Sequence, residues 1–165
     1  MANEHIATYL NDHLAGSVVA IELLEHLEAA HEGTEISSFV VKLRADIEAD
    51  RRELESLMER LGITQSPARK ASAWMAEKIT QIKLRLDDPA GGAFRLFEAL
   101  EAVEIGIEGK RGLWRALQVA SENAPGLRGV DYERLAQRAK DQHQIMEAAR
   151  LEAAKAALAD MPETS

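Results

Sequence analysis

Apolar residues recur along this chain at three- and four-residue intervals over four long stretches, with breakers between them. Over about residues 5–31, Ile6, Tyr9, Leu10, Leu14, Ile21, Leu24 and Leu27 form one stripe, the spacing of a helix with a buried face. Gly33 supplies a stop, and Thr34 supplies a cap for the next helix. That second helix, over about 35–61, carries Ile36, Phe39, Val40, Leu43, Ile47, Leu54, Leu57, Met58 and Leu61 on its stripe, and Gly62 ends it. A third, over about 93–120, turns Phe97, Leu100, Val103, Ile107 and Trp114 inward. Asn123-Ala-Pro-Gly126 breaks it, because proline cannot continue the hydrogen-bond ladder. Asp131 is the N-cap of a fourth, over about 132–159, with Leu135, Ala139, Met146 and Ala149 inward.

Between the second and third helices, Ser66-Pro67 pairs a capping residue with proline at the first helical position. Ala71, Trp74, Ile79, Ile82 and Leu86 then trace a shorter amphipathic helix over about 67–86, stopped by Asp88-Pro89 and Gly91-Gly92. Two short connections flanking one long one make helices two and three parallel. The expected fold class is therefore all-α, a single helical-bundle domain over residues 1–165.

Composition narrows this further. Seven aromatics among 165 residues leave a core of Ala, Leu, Ile, Val and Met, which favours helices over sheets. The balance of 20 basic against 28 acidic residues, −8 overall, argues against nucleic acid, since phosphate binding needs a basic face. With no cysteine there are no disulfides, thiolate nucleophiles or zinc–thiolate sites. No apolar run reaches the roughly 18 residues of a membrane span, and the start lacks the pattern of a signal peptide. These features imply a soluble cytoplasmic chain.

The chain resembles the ferritin-like superfamily of helical bundles over about residues 5–155, in topology, helix length and patterning. In particular it resembles small bacterial ferritin-like proteins of unassigned reaction. Tyr9-Leu-Asn-Asp-His-Leu-Ala-Gly-Ser17 looks like their opening helix, and Asp46-Ile-Glu-Ala-Asp-Arg-Arg-Glu-Leu-Glu55 leading to Leu61-Gly62 looks like their second. The resemblance implies a four-helix bundle with a long helical crossover. In metal-binding members it implies a Glu on two helices and Glu-x-x-His on the other two. Here helix two offers Glu48-Ala-Asp-Arg51 and helix four Lys140-Asp-Gln-His143, each with a cation where a ligand should stand. The six-ligand set is absent, so no metal or other cofactor is expected.

Polar residues remain on the core stripes. His13, Ser17, Asp50, Glu104, Arg111 and Gln142 are expected to converge at one mid-bundle layer. Burying such charges unpaired is costly, which points to an ion-pair network, with a small-ligand or metal pocket as the sharper reading. Arg111 is the expected neutraliser and Arg138 its flanking reserve.

Two features stand apart. The first 35 residues hold seven acids, four of the five histidines and no Lys or Arg, including Glu28-Ala-Ala-His31. This is a solvated acidic face, or a place for a divalent ion. Gly106, Gly109 and Gly112 sit inside helix three, each costing about 1 kcal/mol against alanine. They make that helix apolar on two faces, so that the crossover helix with Trp74, or a second subunit, should cover the second face. The functional expectation is a metal-free structural or interaction module that associates with itself as a homodimer or with an unidentified protein, an enzyme being the weaker class. The competing expectation is a di-iron or di-manganese oxidase or iron-handling protein with an irregular ligand set.

Overall fold

The computed structural model describes residues 4–66, 77, 80–81 and 92–159. Four long helices account for nearly all of them: α1 (Glu4–Ala30), α2 (Glu35–Arg60), α3 (Gly92–Ala120) and α4 (Tyr132–Ala157), with a 3₁₀ turn at Pro125–Leu127 before α4. The chain is all-α, with no strand among the described residues. The predicted crossover helix at 67–86, with Trp74, lies outside the described residues except for Glu77, Thr80 and Gln81, which are helical.

The helix ends follow from local chemistry. Thr34 is extended and its side chain accepts a hydrogen bond from the Ser37 amide at 3.4 Å, so α2 starts where a hydroxyl can satisfy a free amide. Asp131 does the same for α4 through the Arg134 amide at 3.0 Å. Gly33 and Gly62, with φ of +79° and +66°, take the left-handed conformation that ends α1 and α2.

Two apolar clusters fill the interior. One joins Ile21, Leu24 and Leu27 of α1 to Val40, Leu43 and Ile47 of α2, Leu96, Leu100, Val103 and Ile107 of α3, and Met146 of α4. The other joins Leu10 and Leu14 of α1 to Leu54, Leu57 and Met58 of α2, Leu113, Trp114 and Leu117 of α3, and Tyr132 and Leu135 of α4. The N-terminal halves of α2 and α3 therefore share one end, and their C-terminal halves share the other. Those two helices run in the same direction, whereas α1 and α4 run against them.

In α1 the buried set departs from the predicted stripe. Tyr9 is 37% exposed, while Asn11, Ala15 and Leu23, which lie off the stripe, are buried. The cause is Asn11. Its Nδ2 donates to the Ala7 and Thr64 carbonyls at 2.9 and 3.2 Å, and its Oδ1 accepts from the Ser66 amide at 2.7 Å. The chain leaving α2 is thereby tied to a second side of α1, whose buried face rotates from one half of the helix to the other.

The glycine face of α3 is open among the described residues. Gly109 and Gly112 are exposed, and a methyl group built at Gly106, Gly109 or Gly112 would meet nothing within 4 Å. The expected cover by Trp74 falls outside the described residues. Among these residues no helix is long and apolar enough to cross a membrane.

Candidate functional site

A polar layer separates the two apolar clusters. Its members occupy core positions by arithmetic: Asp50 lies three residues after Ile47 and four before Leu54, Lys110 three after Ile107 and four before Trp114, and Gln142 three after Ala139 and four before Met146. Three- and four-residue steps keep a side chain on the face of its neighbours. Three helices thus each direct one polar group inward at the same level.

The groups satisfy one another. Asp50 is 2% exposed, and both its carboxylate oxygens accept hydrogen bonds. Gln142 Nε2 donates to Oδ2 at 3.0 Å, and Arg138 Nε donates to Oδ1 at 2.6 Å. Arg138 Nη2 also reaches Oδ1, and the Lys110 ammonium sits between Asp50 Oδ2 and Gln142 Oε1, donating to both. Burial pushes Lys110 below the usual lysine range, an effect that the neighbouring Asp50 carboxylate opposes. One carboxylate faces two cations. The surplus positive charge is relieved because the Arg138 side chain remains 30% exposed and reaches water.

A second group begins one residue along α4. Glu104, 8% exposed, accepts from Arg150 Nε and stands 3.3 Å from His143 Nε2. His143 and Arg150 are seven residues apart, two turns on one face of α4, so both meet the same carboxylate. Arg150 also lies 4.0 Å from Glu101 and 6.0 Å from the centre of the Phe97 ring, a cation–π contact.

Of the six residues expected to converge, Asp50 and Gln142 meet directly, and Glu104 belongs to the adjoining group. Arg111 does not join them. Its guanidinium is paired with Glu108 at 2.6 Å on the helix surface. The neutralisers are Lys110 and Arg138: residues 110 and 111 lie equally near Ile107 and Trp114, but the buried Val103, Leu113 and Leu117 turn the inward face toward residue 110. On α1, Ser17 donates to its own helix at the Leu14 carbonyl at 2.6 Å. His13 packs edge-on against Tyr9, with ring centres 4.8 Å apart. Sequence reasoning missed Lys110 and Arg150. The same three-and-four spacing that singled out Asp50 and Gln142 points to Lys110 as well.

The would-be metal positions are engaged in ion pairs. Arg51 binds Glu55 at 2.8 Å and Glu48 binds Arg44 at 3.1 Å. Glu28, of the Glu-x-x-His near the end of α1, is held by Arg44 at 2.9 Å. No group of three or more His, Asp or Glu suited to hold a metal occurs among the described residues.

Burial holds His13 below the usual histidine value, partly offset by Asp12. The unfolded chain then binds more protons than the folded one between that lowered value and about 6.5. Stability contributed by His13 is therefore lost as pH falls through this window. His13→Phe should flatten that part of the profile, so urea midpoints at pH 7.5 and about 5.5 should differ less in the variant than in the wild type. An unchanged difference would place the acid sensitivity elsewhere.

Comparison with known proteins returns no match: no protein-family model, no curated protein and no solved structure aligns with the chain. The functional argument therefore rests on the geometry alone.

Proposed function

We propose that this chain is a metal-free bundle of the ferritin-like type, acting as a structural or interaction module. The observation that carries this reading is the saturation of Asp50: both oxygens are occupied by Lys110, Arg138 and Gln142 at the mid-bundle level where ferritin-like proteins that bind metal hold their ions. A lysine ammonium and a guanidinium here neutralise the carboxylate, as a divalent cation would elsewhere, and they repel such a cation. The parallel course of α2 and α3 supports the same topology, since the ends they leave to be joined lie at opposite ends of the bundle.

A metal-handling reading has one observation in its favour, the Glu104–His143 carboxylate–imidazole pair bridging α3 and α4. Arg150 on that carboxylate counts against it. Elemental analysis of protein purified without chelators separates the two. Well under one iron or manganese per chain is expected, whereas two tightly held metals, with oxygen-dependent iron oxidation, would establish the metal-handling reading.

A further inference from the structure

The outer face of α3 carries an apolar repeat that the other described residues leave largely open, although Ala102 at one end packs partly against the interior. Ala102, Ile105, Gly109, Gly112, Ala116 and Val119 follow one another at steps of three and four, the spacing of a coiled-coil seam. Ile105 and Val119 are 52% and 65% exposed, and Gly109, Gly112 and Ala116 are exposed too. With the small residues between them, these two β-branched side chains make one continuous apolar strip.

We infer that this face pairs, antiparallel, with the same face of a second copy of the chain. The order of side-chain sizes is the reason. About a twofold axis between Lys110 and Arg111, Ile105 falls opposite Ala116 of the second copy, Val119 opposite Ala102, and Gly109 opposite Gly112. Each large side chain meets a small one, and the glycines lie at the centre, where the backbones come closest. A parallel pair would set Ile105 against Ile105 and Ala116 against Ala116, leaving ridges beside gaps.

The charges complement in the same register. Glu108, which within one copy pairs with Arg111, and Arg115 flank the seam seven residues apart, and antiparallel pairing brings Glu108 of each copy beside Arg115 of the other, twice by symmetry. Farther out, Glu101 faces Glu122, an acid pair that limits affinity. The seam buries on the order of 1,000 Å² in total, the small end of specific interfaces, so the dimer is reversible. This inference rests on the reading of the chain as an interaction module and names its partner.

Sedimentation of the full chain over a wide concentration range tests it. The wild type should convert from monomer to dimer as concentration rises. Arg115→Glu alone and Glu108→Arg alone should each weaken the dimer about tenfold, and the two together should restore it. Ile105→Glu should give a folded monomer. A wild type that stays monomeric throughout, or a double variant no better than either single one, would overturn the pairing. So would unfolding of Ile105→Glu, which would mean that another part of the chain, such as residues 67–91, occupies the face. A metal-free monomer would defeat this inference while leaving the proposed bundle intact. Bound metal would defeat the bundle reading whatever the oligomeric state.

Discussion

Asp50→Leu is expected to destabilise the folded chain by about 3–5 kcal/mol at neutral pH, because it leaves two cations at a core level with no counter-charge. Lys110 suffers most, since burial already holds it below its usual range, Arg138 adds to that effect, and Asp50 opposes it more strongly than the more distant Asp46. Without the carboxylate its folded-state proton affinity drops further, while in the unfolded chain it still titrates near about 10.4. The unfolded state then binds more protons across the interval between the two values, so the stability of the variant rises with pH through it. Chemical denaturation at pH 7 and about pH 9.5 should show Asp50→Leu regaining part of its loss. Arg111→Met is the matched control. Its pair with Glu108 is on the surface and screened by solvent, so that variant should unfold close to the wild type with little pH dependence. If the two variants behave alike, the charged layer does not carry the weight given to it here.

Truncation of Trp114 should be the most damaging change to the apolar core. The residue is 1% exposed and packs with Tyr132, ring centres 6.4 Å apart, in the cluster that closes the end of the bundle around Leu127 and Leu135. Trp114→Ala should cost about 3–5 kcal/mol in lost burial and residual cavity. Trp114→Phe should cost far less, at most about 1.5 kcal/mol. Among the described residues the indole Nε1 is buried without an acceptor, so the smaller ring gives up no hydrogen bond and removes a desolvated donor. A phenylalanine variant as unstable as the alanine variant would show that the indole nitrogen does find a partner.

What could be read from the sequence here was what repeats locally. Thr34 and Asp131 were recognisable as caps because a side-chain oxygen at a helix start satisfies an amide only a few residues away. Asp50 and Gln142 were recognisable as core polar residues because the residue three before and the residue four after each of them is apolar. Arg111 misled because residue 111 also lies four after Ile107, and choosing between it and Lys110 needs the direction of the whole inward face, which Val103, Leu113 and Leu117 pull toward residue 110. The burial of Asn11 and Ala15 was not legible at all. It depends on Thr64 and Ser66, more than 50 positions away, coming to lie beside α1. Periodicity within a helix reports its main buried face and says nothing of a second one made by a distant segment.

The layer around Asp50 is complete with the protein's own cations. Thermal unfolding of the full chain, titrated without oxygen with Fe²⁺ and separately with Mn²⁺ against Mg²⁺ at matched ionic strength, tests it most directly, because a ligand held by the folded state alone raises the transition in proportion to its affinity. The account predicts midpoints that follow the Mg²⁺ control at every concentration. A saturable rise with iron or manganese, levelling at one or two ions per chain, would contradict it.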